Sequence, residues 1–301
     1  MRERCDQIHN MILEYQRLSV NDFAKITQPI DISKYIESAR ESVKGKSFVE
    51  AIVWIAFAER PTSKTRIRSL IEEYLEEATF HALFPLAMVD SEGRRTATSP
   101  SLLDGGEETR EQVIKSRMLM EATRHQQLVA AAIIQPMIEQ ISLEHYLKME
   151  DFTFLVRYNN FIPPTHAFIY AKGLYAGLQS DPIVAGHLLI PQIENSLRYI
   201  LNQHGVITSG LNTENGVQEN YTLDTLLAMP ALEEILGEDI VFDLQCLLIR
   251  RFGSNLRNRL SHGLMESLEF SSPLMIYLWW LVIHLCCRGL PHFTKEQPNT
   301  D

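Results

Sequence analysis

No Cys-x-x-Cys pair occurs among the four cysteines of this 301-residue chain, Cys5, Cys246, Cys286 and Cys287. Two of them are neighbours inside an apolar run, where a small intrachain disulfide is geometrically difficult, so the expectation is a reduced, cytoplasmic protein. Basic charge is scarce as well: 28 Lys and Arg stand against 38 Asp and Glu, a formal net charge of −10. That balance argues against a general coating of nucleic acid or a membrane surface, which calls for excess cation, and leaves open only a local basic site. Long apolar runs are missing. The greasiest, Leu274 to Cys287, is about 14 residues and contains His284, short of the roughly 20 needed to cross a bilayer, so it reads as a buried core helix and no membrane anchor is expected. The opening MRERCDQIHNMILEYQ has no uninterrupted apolar segment of the secretory type and reads as an amphipathic helix. G-x-x-x-x-G-K-[ST], G-x-S-x-G, H-E-x-x-H and the dinucleotide fingerprint are all absent, and Gly105-Gly106 lies among acids that would repel phosphate. His187, His284 and His292 have no carboxylate or thiol at ligand spacing and read as structural. No metal and no cofactor is expected.

What the chain does have is a 45% apolar share, enough for a full core. Gly and Pro punctuate it sparsely, and the segments between them place apolar residues three and four apart, the helical period. The fold class is therefore all-α. Helices are expected over roughly 3–18, 31–44, 47–59 and 63–83, then a polar loop or linker over Asp90 to Gly106, then a long helical pattern from Glu107 to Lys148 that Pro136 must kink or end. RYNNFIPPT, Arg157 to Thr165, marks a domain division. The organisation predicted is an N-terminal helical domain of unknown role (1–156), a second helical bundle (157–293) and a polar tail (294–301).

In the second half, Asp181 and Pro182 start a helix that Pro191 should bend and Gly205 should close. Val206 to Tyr221 reads as a long loop or short hairpin. Pro230 to Gly237 frames a short helix, and the next runs from Glu238 or Asp239 to Gly253. After it, Ser254 or Asn255 is expected to cap a helix carrying Leu256, Leu260, Leu264 and Leu268 as a buried stripe. The last helix, after Pro273, is apolar nearly all round and belongs in the bundle centre or at a subunit contact. Its adjacent Trp279 and Trp280 point about 100° apart; both read as core, with a subunit contact for one of them as the alternative.

The strongest anomaly in the composition is LIRRFGSNLRNRLSH, Leu248 to His262, with Arg250, Arg251, Arg257 and Arg259 and no acid. Guanidiniums hold phosphate bidentately at any physiological pH. The plainer reading is a solvated basic face paired with acids elsewhere in the chain. Within this stretch Arg257, Asn258 and His262 form R-N-x-x-x-H. On a straight helix Asn258 and His262 share a face, and Arg257 lies about 140° round from His262. An imidazole takes a proton from a ribose 2′-hydroxyl or returns one to a leaving 5′-oxygen, and a guanidinium holds the charge building on the phosphorane. Such a trio needs no metal to cleave RNA. The spacing by itself recurs at Arg4 to His9. What sets Arg257 to His262 apart is the Asn after the Arg, the Gly after the His, the lack of local acids and the apolar helix that follows.

R-N-x-x-x-H resembles the R-polar-x-x-x-H signature of the HEPN (higher eukaryotes and prokaryotes nucleotide-binding) superfamily. The longer Arg257 to Gly263 stretch resembles a domain-of-unknown-function family defined by RN-x-x-x-HG, to which a eukaryotic endoplasmic reticulum membrane-associated RNA degradation protein belongs. LLIPQIENSLR at Leu188 to Arg198, LGEDIVFDLQCLL at Leu236 to Leu248 and YLWWLV from Tyr277 extend the likeness over roughly residues 160 to 290. The resemblance implies an all-α HEPN-like bundle, a homodimer whose signature helices meet near the two-fold axis, and metal-independent endoribonuclease activity. Arg257, Asn258 and His262 match the signature and are the expected catalytic residues, with Arg251 and Arg259 as substrate-backbone contacts. Members without nuclease activity bind nucleotides or partners, so a catalytically silent module binding nucleotide, RNA or protein is the alternative. A toxin or antiphage role, with an antitoxin or sensor partner, is a third. Glu194 and Arg198, four apart in the favourable order, read either as an ordinary ion pair or as a supporting pair, with Glu194 orienting His262 or Arg257.

Overall fold

The computed structural model describes residues 2–24, 29–77 and 84–291. The structure is 68% helical, with two small two-stranded sheets among the described residues, so the all-α expectation is borne out. Residues 78–83 of the fourth expected helix, His292 and the tail 294–301 lie outside the described residues. No helix among the described residues is long and apolar enough to cross a membrane.

The contacts divide the chain into two compact units, residues 1–31 with 66–120, and residues 32–65 with 121–301. The division expected at residues 157–165 is not where they part. Asn159 explains why RYNNFIPPT is no linker: its buried amide donates to Leu155 O and Cys286 O, both at 2.7 Å, and accepts from Phe161 N at 2.8 Å. Phe161 and Ile162 are buried with it. A turn-forming composition has been used here to fold a segment into the core.

The first unit contains α1 (Arg2–Ser19), nearly all of α4 (Lys64–Glu77) and a hairpin of β1 (Leu86–Val89) with β2 (Arg95–Ser99). The hairpin corrects the reading of Asp90 to Gly106 as a loop. Asp90 accepts from the amides of Glu92 and Arg94, and Gly93 turns the chain at φ +76° where a Cβ would meet Gln16 O at 2.2 Å. Side-chain capping of a tight turn, followed by Thr-rich RTATS, is a strand signal of its own.

The second unit holds the main core. Its centre is α15 (Pro273–Arg288), buried at every position from Tyr277 to Cys287, as its all-round apolarity predicted. Against it pack α3 (Phe48–Ala56), α7 (Thr153–Val156), α8 (Ala167–Leu178) and α9 (Pro182–Gln203), while α2 (Ser33–Val43) packs on α6 (Gln135–Glu144). Both tryptophans are core residues: Trp279 Nε1 donates to Leu174 O at 2.9 Å and Trp280 Nε1 to Ile55 O at 2.8 Å. Gly177 allows the first, since a Cβ there would lie 2.1 Å from the Trp279 ring. Each indole thus buries its large ring without stranding its N–H. Pro136 is accommodated by a π-helical stretch, Ala130–Ile134, between α5 (Glu107–Val129) and α6. Lengthening the hydrogen-bond step places the proline in the first turn of a new helix, where no donor is required.

One buried polar cluster escaped the sequence reading. Asp243, on α12 (Glu238–Leu248), is fully buried and accepts from Gln126 Nε2 and the Tyr277 hydroxyl, both at 2.6 Å. Burial raises its carboxyl pKa against the lowering effect of these donors. A single Asp in FDLQ carries no pattern that would mark it as internal.

Candidate RNA-cleaving site

The basic stretch lies on the second unit. α12 stops at Leu248, earlier than the Gly253 expected, and residues 251–254 form a tight turn. Gly253 is required there, because a Cβ would meet Cys246 O at 2.1 Å. Ser254 N then donates to that same carbonyl at 2.9 Å. Asn255 follows in the left-handed region, φ 51°, and makes no side-chain cap.

The signature helix, α13, is Leu256–Ser261, six residues. The long helix with a four-leucine buried stripe is therefore corrected: Leu256 is buried, but Leu264 and Leu268 are 56% and 85% exposed. The cause is Gly263 at φ +64°. Gly263 N donates to Leu260 O at 3.0 Å and Leu264 N to Arg259 O at 2.8 Å, the paired bonds of a Schellman stop. The glycine after the histidine thus terminates the helix and leaves His262 as its C-terminal cap, exposed, with its amide on Asn258 O at 3.1 Å.

The remaining site residues separate into two groups. Arg257 turns toward α9, where its Nη2 meets Glu194 Oε2 at 3.1 Å. The other oxygen of Glu194 takes Arg198 Nη2 at 3.3 Å, and Arg198 also donates to Tyr221 O at 3.0 Å. The result is an Arg–Glu–Arg cluster, with Arg257 the more open cation at 32% side-chain exposure against 18% for Arg198. Two guanidiniums against one carboxylate leave it net positive. The Asn258 amide donates to Asn255 Oδ1 at 2.7 Å, holding the entry turn, while its Oδ1 faces Arg257 Nη1 at 3.4 Å.

Arg259 belongs elsewhere. Its guanidinium pairs with Glu269, Nη2 to Oε2 at 2.7 Å, and Glu269 also accepts from Glu266 N at 2.9 Å. Burial pushes the Glu269 carboxyl up, but the Arg259 hydrogen bond, the Glu266 amide and the Arg259 charge outweigh it and hold its pKa below the ordinary value. Arg250 meets Asp224 at 3.2 Å. Arg251 is exposed and forms no ion pair among the described residues. Three of the four arginines in an acid-free stretch are thus matched by carboxylates from α9, α10 (Leu223–Leu227) and α14 (Ser267–Phe270). Sequence distance hid those partners.

A cavity of about 950 Å³ elsewhere on the second unit, between Met149 and Tyr199, is lined by none of Arg257, Asn258 and His262. Among the described residues no three His, Cys, Asp or Glu side chains group to hold a metal ion. Comparison with protein-family models, with curated proteins and with solved structures finds no match to this chain.

Proposed function

We propose that the protein is a metal-independent endoribonuclease of the HEPN type acting on single-stranded or loop RNA, whose backbone is free to align the 2′-oxygen. The observation that carries this reading is the exposed His262 capping the same short helix that directs the partly open Arg257 into a net-positive cluster. In the reaction, the His262 imidazole takes the 2′-hydroxyl proton, the 2′-oxygen attacks phosphorus and the bond from phosphorus to the 5′-oxygen breaks. The protonated imidazole then gives its proton to the departing 5′-oxygen, leaving a 2′,3′-cyclic phosphate and a 5′-hydroxyl. Arg257 stabilises the phosphorane, Asn258 holds the entry turn, and Glu194 and Arg198 position Arg257. Arg251 contacts the RNA backbone. Arg259, clamped by Glu269, serves that purpose only if RNA displaces the carboxylate. A homodimer is part of the proposal, as is a toxin or defence role with an antitoxin or sensor partner. Growth arrest on expression that disappears with Arg257→Ala tests that role.

The second reading, a catalytically silent module that binds nucleotide, RNA or protein, is favoured by the pairing of Arg250, Arg257 and Arg259 with acids. One experiment separates the two. Purified protein is incubated with RNA in EDTA, beside His262→Ala. Cleavage with cyclic-phosphate ends that vanishes in the variant, at unchanged melting temperature, supports the nuclease. Binding without turnover supports the module, and undiminished cleavage by His262→Ala refutes the role of the imidazole.

A further inference from the structure

A second cavity on this unit, about 530 Å³, opens where the C-terminal ends of α9, α11 (Pro230–Leu236) and α15 approach one another. Most of its wall is apolar, from Phe57, Phe161, Ile200, Ile235, Leu236 and Leu285. Two polar groups on α15 interrupt that wall. His284 and Arg288 both line the cavity and lie one turn apart, on one helix face.

Each is anomalous. Arg288 is partly buried, and burial holds its pKa below the ordinary arginine value, with no carboxylate acting on it among the described residues. Buried charges are ordinarily paired; the dipole of its own helix end compensates this one only in part. His284 is 5% exposed. Its Nδ1 lies 2.8 Å from Ala56 O; a carbonyl only accepts, so Nδ1 carries the hydrogen and Nε2 is left as a bare acceptor. That Nε2 has no hydrogen-bond partner among the described residues. Burial, with Arg288 nearby, pushes the imidazole down to about 4, so it stays neutral and accepting at physiological pH. The mainly apolar cavity wall thus carries a cation with no carboxylate partner among the described residues and, beside it, a buried acceptor that is unfilled, and the volume is within the size range of small-molecule sites.

We propose that this cavity binds a small organic acid with a hydrocarbon body, its carboxylate on Arg288 and a hydroxyl or amino hydrogen donated to His284 Nε2. His204, whose Nδ1 is likewise occupied by Ile200 O at 2.8 Å, and the Gln203 and Asn160 amides supply polar contacts at the rim. This site shares no residue with the RNA-cleaving site, so its test involves no RNA.

The full chain is titrated with 2-hydroxy-4-methylpentanoate, followed by melting temperature and calorimetry, beside 4-methylpentanoate, which lacks the hydroxyl, and 4-methylpentane-1,2-diol, which lacks the carboxylate. The hydroxy acid at millimolar concentration is expected to raise the melting temperature, the plain acid to bind more weakly and the diol not to bind. Arg288→Met should weaken binding by about tenfold or more. Without ligand that variant should melt at the same or a higher temperature, because an uncompensated cation has been removed. No response to the hydroxy acid, an equal response in Arg288→Met, or a lower ligand-free melting temperature in that variant overturns the proposal. An equal response to inorganic phosphate overturns the organic-acid class.

Discussion

Helices α15 and α13 are only about a dozen residues apart in sequence and are held by opposite means. α15 is buried on all sides, with its indoles and Asn159 tying it to neighbouring backbone. α13 buries Leu256, is bounded by a left-handed Asn255 and a Schellman glycine, and is held by ion pairs to α9 and α14. Burial supplies stability and removes groups from reach; a short helix held at its rim leaves an imidazole exposed to solvent. The difference places the expected cost of mutation in one element and the expected chemistry in the other.

Trp280→Ala tests that contrast most severely. It empties the largest fully buried side chain and should cost about 3–5 kcal/mol in denaturant unfolding; a loss under about 1 kcal/mol would contradict a packed centre. Next in size is a pH effect at the same helix. His284 is held down at about 4 by burial, below its unfolded value near 6.5. Its neutral form stabilises the fold fully above the unfolded value, and that contribution is lost as pH falls through the folded one. Between about pH 6.5 and 4 the protein should therefore lose on the order of 3 kcal/mol relative to His284→Gln, which cannot titrate.

At α13 the effects on stability should be smaller and those on activity larger. Gly263→Ala forces a Cβ into a left-handed position and should cost about 1–2 kcal/mol; it should also displace His262 and lower RNA cleavage more than the stability loss explains. Glu194→Gln removes the shared carboxylate of Arg198 and Arg257, which are largely and partly buried, and should lower stability by about 1–3 kcal/mol, while cutting cleavage. Equal cleavage in Glu194→Gln would reduce the cluster to an ordinary ion pair.

Where local signals agree with the fold, they were readable. Asp181 caps α9 through Val184 N, Pro182 and Pro230 open helices, and Gly205 and Gly237 close them with positive φ. These residues act on their own backbone, so no distant partner is required. The leucine repeat from Leu256 to Leu268 keeps the helical period through a glycine whose left-handed conformation ends the helix, so the period overstates the helix there. A glycine directly after the last helical turn is itself a stop signal. The acids paired with Arg250, Arg257 and Arg259 leave no such local signal, since they come from elements up to 63 residues away.

The amino-acid order alone determined that this chain is helical, where most helices start, and that one apolar segment is central. Those properties arise from backbone propensity and short-range pattern. Tertiary structure decided which charges are neutralised, which histidine is open and which is buried, that Asp243 leaves the surface and that Arg288 is partly buried. The energy of a charge depends on the dielectric and the partners around it, and both are assembled from residues far apart along the chain.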